Sequence, residues 1–111
     1  MPNARNHSIR YAAIADDGTL SQAIDLEGDR LFAIQLPAEW VSADITLDGS
    51  ASGSTYAPVY DGAGNELVIE AAASRYIVLT AAQISSLLGL RYLKVRSGTV
   101  GSPVQQTGGP L

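Results

Sequence analysis

Few residues in this 111-residue chain have side chains suited to catalysis or tight metal binding. The chain contains one histidine, His7, and no cysteine. A Ser-His-Asp triad would therefore depend on His7 alone, and a structural zinc site would lack ligands. Because His7 lies in a polar N-terminal stretch, a solvated side chain is a simpler interpretation than a general base.

Acidic and glycine-rich turns offer two further kinds of site. Residues 16–19 (Asp-Asp-Gly-Thr) and 61–66 (Asp-Gly-Ala-Gly-Asn-Glu) contain oxygen donors of the type that calcium prefers. Neither has the spacing of an EF-hand loop, and turn chemistry alone accounts for both. Gly62 and Gly64 precede strand-like residues, which favours a hairpin over a phosphate-binding loop. Overall we expect no catalytic residue, no metal site and no cofactor, and we predict that the protein is not an enzyme.

Aromatic side chains are the best candidates for a binding role. Trp40, Tyr56 and Tyr60 form the predicted interaction surface, either as a sugar-stacking platform or as a protein interface. For Trp40, packing in the core or at its rim is favoured over a binding role. Three cations on one predicted strand, residues 90–97, form either a basic patch for an acidic partner or a solvated face paired with acidic neighbours.

Short segments of alternating polar and apolar residues, separated by turn residues, indicate β-strands. The segments are residues 8–14, 21–26, 30–36, 43–48, 55–61, 66–70, 75–80 and 90–97, and residues 104–107 are a further candidate. Their spacing predicts an all-β fold, an antiparallel, jelly-roll-like β-sandwich of about eight strands.

The local sequence also predicts the place of some elements. Residues 30–36 are apolar on both faces, which favours a central strand, whereas Pro58 favours an edge strand or a bulge. One short helix is expected near residues 81–88, with Thr80 as its N-cap and Gly89 at its C-terminal end.

Length, charge and hydrophobicity bound the remaining possibilities. A chain of 111 residues is too short for two independent cores. We expect an N-terminal arm (1–7), a β-sandwich domain (8–104) and a flexible C-terminal tail (105–111). The net charge of −4 disfavours nucleic acid as a partner, because the phosphate backbone would be repelled. Apolar runs are far shorter than the roughly 20 residues of a membrane helix, so we expect no membrane partner.

The order of segments between Leu20 and Val104 resembles a known class of proteins. The segments that carry the resemblance are residues 20–26, 31–40, 45–50, 56–61, 74–79 and 90–99. In this order they resemble small proteins encoded among the head and virion genes of tailed bacteriophages and prophages. The middle of the chain also resembles discoidin-like, galactose-binding-type jelly-roll domains, which end on a strand similar to residues 91–96 (Arg-Tyr-Leu-Lys-Val-Arg).

The resemblance implies a structural role and brings no catalytic residues with it. It implies a capsid decoration (cement) protein, or the base of a head fibre or spike, that binds the major capsid protein and is located in the virion after synthesis in the bacterial host cytoplasm. A homo-oligomer is expected, with a trimer favoured. The alternatives are a carbohydrate-binding module of a phage tail or fibre, with a glycan as ligand, and a neck or tail-completion protein.

Overall fold

A computed structural model describes residues 11–27, 31, 33–87 and 89–107, and the statements below concern this part of the chain. It is mostly β, with antiparallel sheets and one short helix. The elements in chain order are β1 (Ile24–Asp25), β2 (Ala33–Gln35), β3 (Ile45–Ser50), β4 (Ala57–Pro58), β5 (Tyr76–Val78), α1 (Ala81–Ser86) and β6 (Tyr92–Ser97). The predicted N-terminal arm and the last four residues of the predicted tail lie outside the described residues.

A four-stranded sheet in the order β1-β6-β3-β4 contains the longest strand pairing. β3 and β6 pair antiparallel over six residues, from Ile45 opposite Ser97 to Ser50 opposite Tyr92. Ile45 and Leu47 alternate along β3 as predicted and are fully buried. Thr46, which lies between them, is also fully buried, and its hydroxyl donates a hydrogen bond to the carbonyl oxygen of Gly98 at 2.8 Å. Both faces of β3 are therefore covered.

The second sheet contains only β2 and β5 among the described residues. The predicted central position of β2 is therefore wrong: β5 is the one described strand with which it pairs. Ile34 opposite Ile77 packs against the core, whereas Gln35 opposite Tyr76 is exposed. The apolar residues on both faces of residues 30–36 are therefore not sufficient to identify a central strand, because a strand of a two-stranded sheet has the same pattern here.

Side chains from both sheets, the helix end and the connecting loops form one hydrophobic core. The buried apolar residues are Ile14, Leu26, Leu36, Trp40, Ile45, Leu47, Val59, Leu67, Ile69, Leu79, Leu87 and Leu93. Each such side chain contributes about 1.5–3 kcal/mol on burial. The core thus explains why short strands and single bridges suffice to hold the chain together.

Several predicted strands are reduced to single bridges, so the described residues form six strands instead of about eight. In the segments 66–70 and 104–107, Ile69 forms a bridge with Ile45, and Gln106 forms one with Gly18. Residues 11–14 of the first predicted strand are not in a strand, and residues 8–10 lie outside the described part. The edge position predicted from Pro58 is confirmed, because β4 ends the four-stranded sheet.

Helix α1 begins as predicted after Thr80 and has a complete capping box. The Thr80 hydroxyl accepts a hydrogen bond from the Gln83 amide at 3.1 Å, and the Gln83 side chain accepts one from the Thr80 amide at 2.9 Å. Such caps stabilise a short helix by about 1 kcal/mol. The C-cap is Leu87, earlier than predicted, so the following C′ position falls on residue 88, outside the described residues.

A buried glutamine ties the C-terminal segment to the domain. Gln106 is fully buried, and its side-chain amide donates to the carbonyl of Val41 (3.0 Å) and the hydroxyl of Ser97 (2.6 Å). Its side-chain oxygen accepts from the Val41 amide at 2.8 Å. Three hydrogen bonds and complete burial therefore attach Gln106 to the folded domain.

Candidate interaction surface

The three aromatic residues of the predicted interaction surface occupy different environments. Trp40 is only 6% exposed, and its indole N–H donates to the Ala43 carbonyl at 3.1 Å. Trp40 therefore packs in the core, with its indole donor already satisfied. Tyr56 is half-buried beside Lys94, and Tyr60 is 53% exposed at the start of a hairpin turn. The structure thus leaves Tyr60 as the most exposed member of the three.

The acidic turn at residues 61–66 is a hairpin in which the Asp61 carboxylate accepts hydrogen bonds from the backbone of the turn itself. Oδ1 of Asp61 accepts hydrogen bonds from the amides of Ala63 (2.9 Å) and Asn65 (3.0 Å), and Gly64 has a positive φ of 87°. Turn chemistry accounts for this arrangement. In the described part of the chain, no group of three His, Cys, Asp or Glu side chains is placed to hold a metal ion. No described helix is long and apolar enough to cross a membrane.

The three cations around β6 each have a partner on a neighbouring element. Arg96 forms an ion pair with Asp48 in which both side chains are nearly buried, at 12% and 13% exposure. Lys94 lies 4.4 Å from the centre of the Tyr56 ring. Since the cations have their own partners, the paired strand face is favoured over a basic patch.

The third cation, Arg91, is paired at the surface. Its guanidinium donates two hydrogen bonds to the Asp25 carboxylate, at 2.9 and 3.1 Å. These bonds, together with the charge of Asp25, raise the pKa of Arg91 above its ordinary value. Because both side chains of this pair are exposed to solvent, the pair contributes little to stability.

A cleft of about 520 Å³ lies between β2 and the four-stranded sheet. Its walls are mainly apolar, and its lining residues are Tyr11, Ala12, Ile14, Ile34, Gln35, Leu36, Pro37, Glu39, Trp40, Ile45 and Val95. The volume is within the range of small-ligand pockets. Gln35, Glu39 and the 82% exposed Tyr11 supply polar and aromatic groups at this cleft. Trp40, although almost fully buried, thus contacts a space that a small ligand could enter.

The most exposed apolar surface on a described strand belongs to β5. Tyr76 is 68% exposed and Val78 is 73% exposed, while Ile77 between them packs against the core. Arg75 precedes them and is also exposed. We call residues 75–78 the β5 edge surface. This surface was not among the predicted sites, although the alternation of Tyr76, Ile77 and Val78 indicates a strand with one apolar side chain in the core and two at the surface.

Comparisons of the chain with protein-family models, curated proteins and solved structures found no match.

Proposed function

We propose that this protein is a structural virion protein of a tailed bacteriophage, built as a jelly-roll-like β-sandwich, and that it acts by adhesion. In this proposal it is a capsid decoration protein, or the base of a head fibre or spike, and it binds the lattice of the major capsid protein. The observation that carries the proposal is the β5 edge surface, where two large apolar side chains lie exposed on a strand of a folded sheet. Such exposure is typical of protein-binding sites.

The size of this surface indicates how adhesion would work. Burying Tyr76 and Val78, each about two-thirds exposed, contributes about 2–4 kcal/mol in total. That is too little for stable binding by a single copy, since micromolar affinity requires about 8 kcal/mol. Several copies in a homo-oligomer, with a trimer favoured, would contact a repeating lattice together and gain affinity by avidity.

The test mixes the purified protein with undecorated capsids assembled from the major capsid protein of the phage genome that encodes it. Electron microscopy then counts the bound copies. We expect binding at micromolar concentration, weakened at least about tenfold by Tyr76→Ser, because each 1.4 kcal/mol corresponds to a factor of ten. The matched control is Val100→Ser, which removes an exposed apolar side chain outside β5 and outside the predicted aromatic surface, and which should leave binding unchanged.

Absence of bound copies at micromolar concentration would overturn the proposal. Density confined to the neck or tail of an intact particle would instead support the neck or tail-completion alternative, which differs from decoration mainly in ring symmetry.

A second candidate function, a carbohydrate-binding module of a phage tail or fibre, is supported by the cleft. Trp40 and the exposed Tyr11 line it together with the polar side chains of Gln35 and Glu39. Sugar sites combine an aromatic surface with hydrogen-bonding groups of this kind. A glycan array tests this function: specific signals that are lost in Glu39→Ala would support it, and an array without specific signals would remove it.

A further inference from the structure

Among the described residues, one side of β5 is open to pairing with another strand. The Leu36 amide donates to the Arg75 carbonyl at 2.9 Å, and this bond shows which residue pairs of β2 and β5 are hydrogen-bonded and which are not. Hydrogen-bonded and non-hydrogen-bonded pairs alternate along an antiparallel pair of strands, so Ile77 exchanges hydrogen bonds with Ile34 of β2. The N–H and C=O groups of Tyr76 and Val78 therefore point away from β2. Within the described part of the chain, no second strand pairs with β5.

The sequence of β5 lacks most of the features that commonly protect a sheet edge. Natural edges are protected by short strand length, lysine, proline, bulges or inward-pointing charges. β5 is short, at three residues, but Tyr76, Ile77 and Val78 include no charge, proline or bulge and pair regularly with β2. The high exposure of Tyr76 and Val78 indicates that the adjoining face is accessible as well. A strand added at this edge would therefore gain backbone hydrogen bonds and contacts with two apolar side chains.

Charge indicates what kind of strand would fit. Arg91 and Arg96 pair with carboxylates, and Lys94 lies beside Tyr56. Among the cations that the structure describes, Arg75 alone has neither an acidic nor an aromatic partner, and it lies directly before the exposed residues of β5. A second copy paired with β5 about a two-fold axis at Ile77 would place an apolar leucine opposite Arg75, and would leave its charge unpaired.

We propose that the β5 edge surface binds an extended segment of a partner polypeptide as an added β-strand, with an acidic residue near Arg75 and apolar residues beside Tyr76 and Val78. Main-chain hydrogen bonds supply the affinity in this mode of recognition, and side chains supply the specificity. The inference rests on the proposed function for the existence of a protein partner, and it specifies how that partner is bound.

The test uses the full chain, immobilised, and a displayed library of random peptides. We expect enrichment of peptides that combine an acidic residue with alternating apolar residues. Val78→Pro should abolish this enrichment, because it removes an outward-pointing N–H without removing a hydrogen bond to β2. Val78→Lys, which adds a charge on an exposed side chain, is the second variant in case proline disturbs the strand. Arg75→Glu should change the preference from acidic to basic peptides.

Each outcome decides between specific possibilities. Failure to enrich such peptides, or enrichment that survives both Val78 variants, would overturn the inference. A dimer in analytical ultracentrifugation that Val78→Lys dissociates would show that a second copy occupies the edge, which also overturns the choice of partner. Capsid binding that persists in both variants would refute the β5 edge but keep the proposed function. Peptide binding without capsid binding would support the β5 edge as a strand-binding site but overturn the proposed function.

Discussion

Replacing Gln106 by alanine should destabilise the protein strongly, although the residue lies only five positions from the C-terminal end of the sequence. Its side chain makes three hydrogen bonds and is fully buried. Each lost bond costs about 1 kcal/mol when the partner remains buried. Because Val41 is half-buried and water can reach part of this site, we expect a loss of about 3 kcal/mol in the free energy of unfolding.

Urea denaturation followed by the fluorescence of Trp40, the only tryptophan, measures this loss. A loss of about 3 kcal/mol lowers the midpoint by about 2 M urea, at a slope of about 1.5 kcal/mol per molar. The matched control is Gln105→Ala, which changes an exposed neighbour and should stay within about 0.5 kcal/mol of the parent protein. A loss below about 1 kcal/mol for Gln106→Ala would refute the reasoning.

Gln106→Glu separates hydrogen bonding from packing, because it preserves the size of the side chain. In this variant a carboxylate oxygen would face the Val41 carbonyl, so burial and the lost donor should raise the pKa of the new carboxyl above its ordinary value. A raised pKa in the folded state means that the penalty is largest at neutral pH and shrinks as the pH falls through the folded pKa. A penalty independent of pH would indicate that packing alone explains the site.

Two further predictions concern an ion pair and a glycine. Arg96→Ala should lower the free energy of unfolding by about 3 kcal/mol, since it leaves a nearly buried carboxylate without its partner. Arg91→Ala, at the exposed pair, is the control and should change the free energy of unfolding in chemical denaturation little. Equal effects of the two substitutions would contradict this prediction. Gly98→Ala should lower the free energy of unfolding by more than about 2 kcal/mol, because the residue has φ 89° and an added Cβ would lie 2.5 Å from a backbone oxygen. In Gly62→Ala the added Cβ meets no atom within 4 Å, so this variant is the control. Thermal unfolding measures both.

The sequence predicted the features that depend on local patterns. Alternation identified the buried residues Ile45 and Leu47, Pro58 identified the edge strand, and Thr80 identified the start of the helix. Each of these signals is contained in a few consecutive residues. The burial of Gln106 had no such signal, because the backbone group to which it bonds lies 65 residues away in the sequence.

The interaction surface was less predictable because side-chain type does not determine exposure. Trp40 was a candidate because it is a large aromatic residue, although core packing was favoured for it, and its side chain is only 6% exposed. Tyr76 and Val78 lie in a segment whose β-branched and aromatic residues indicated a strand, but only the pairing of that strand shows which edge is free. A prediction of this surface needs the sheet order, which depends on contacts distant in sequence.

The two sheets differ in how their surface groups are satisfied, and this difference favours β5 as the site of adhesion. On the four-stranded sheet, Arg96 and Lys94 contact groups of the same molecule, so a partner would first have to displace those contacts. On β5, Arg75, Tyr76 and Val78 are exposed, and a partner could bind them without such a cost. Binding energy is retained best where the free protein already has the bound geometry. For this reason, substitutions on β5 should weaken the proposed adhesion while leaving stability nearly unchanged. Substitutions of the β6 cations with buried partners should lower stability and leave adhesion nearly unchanged.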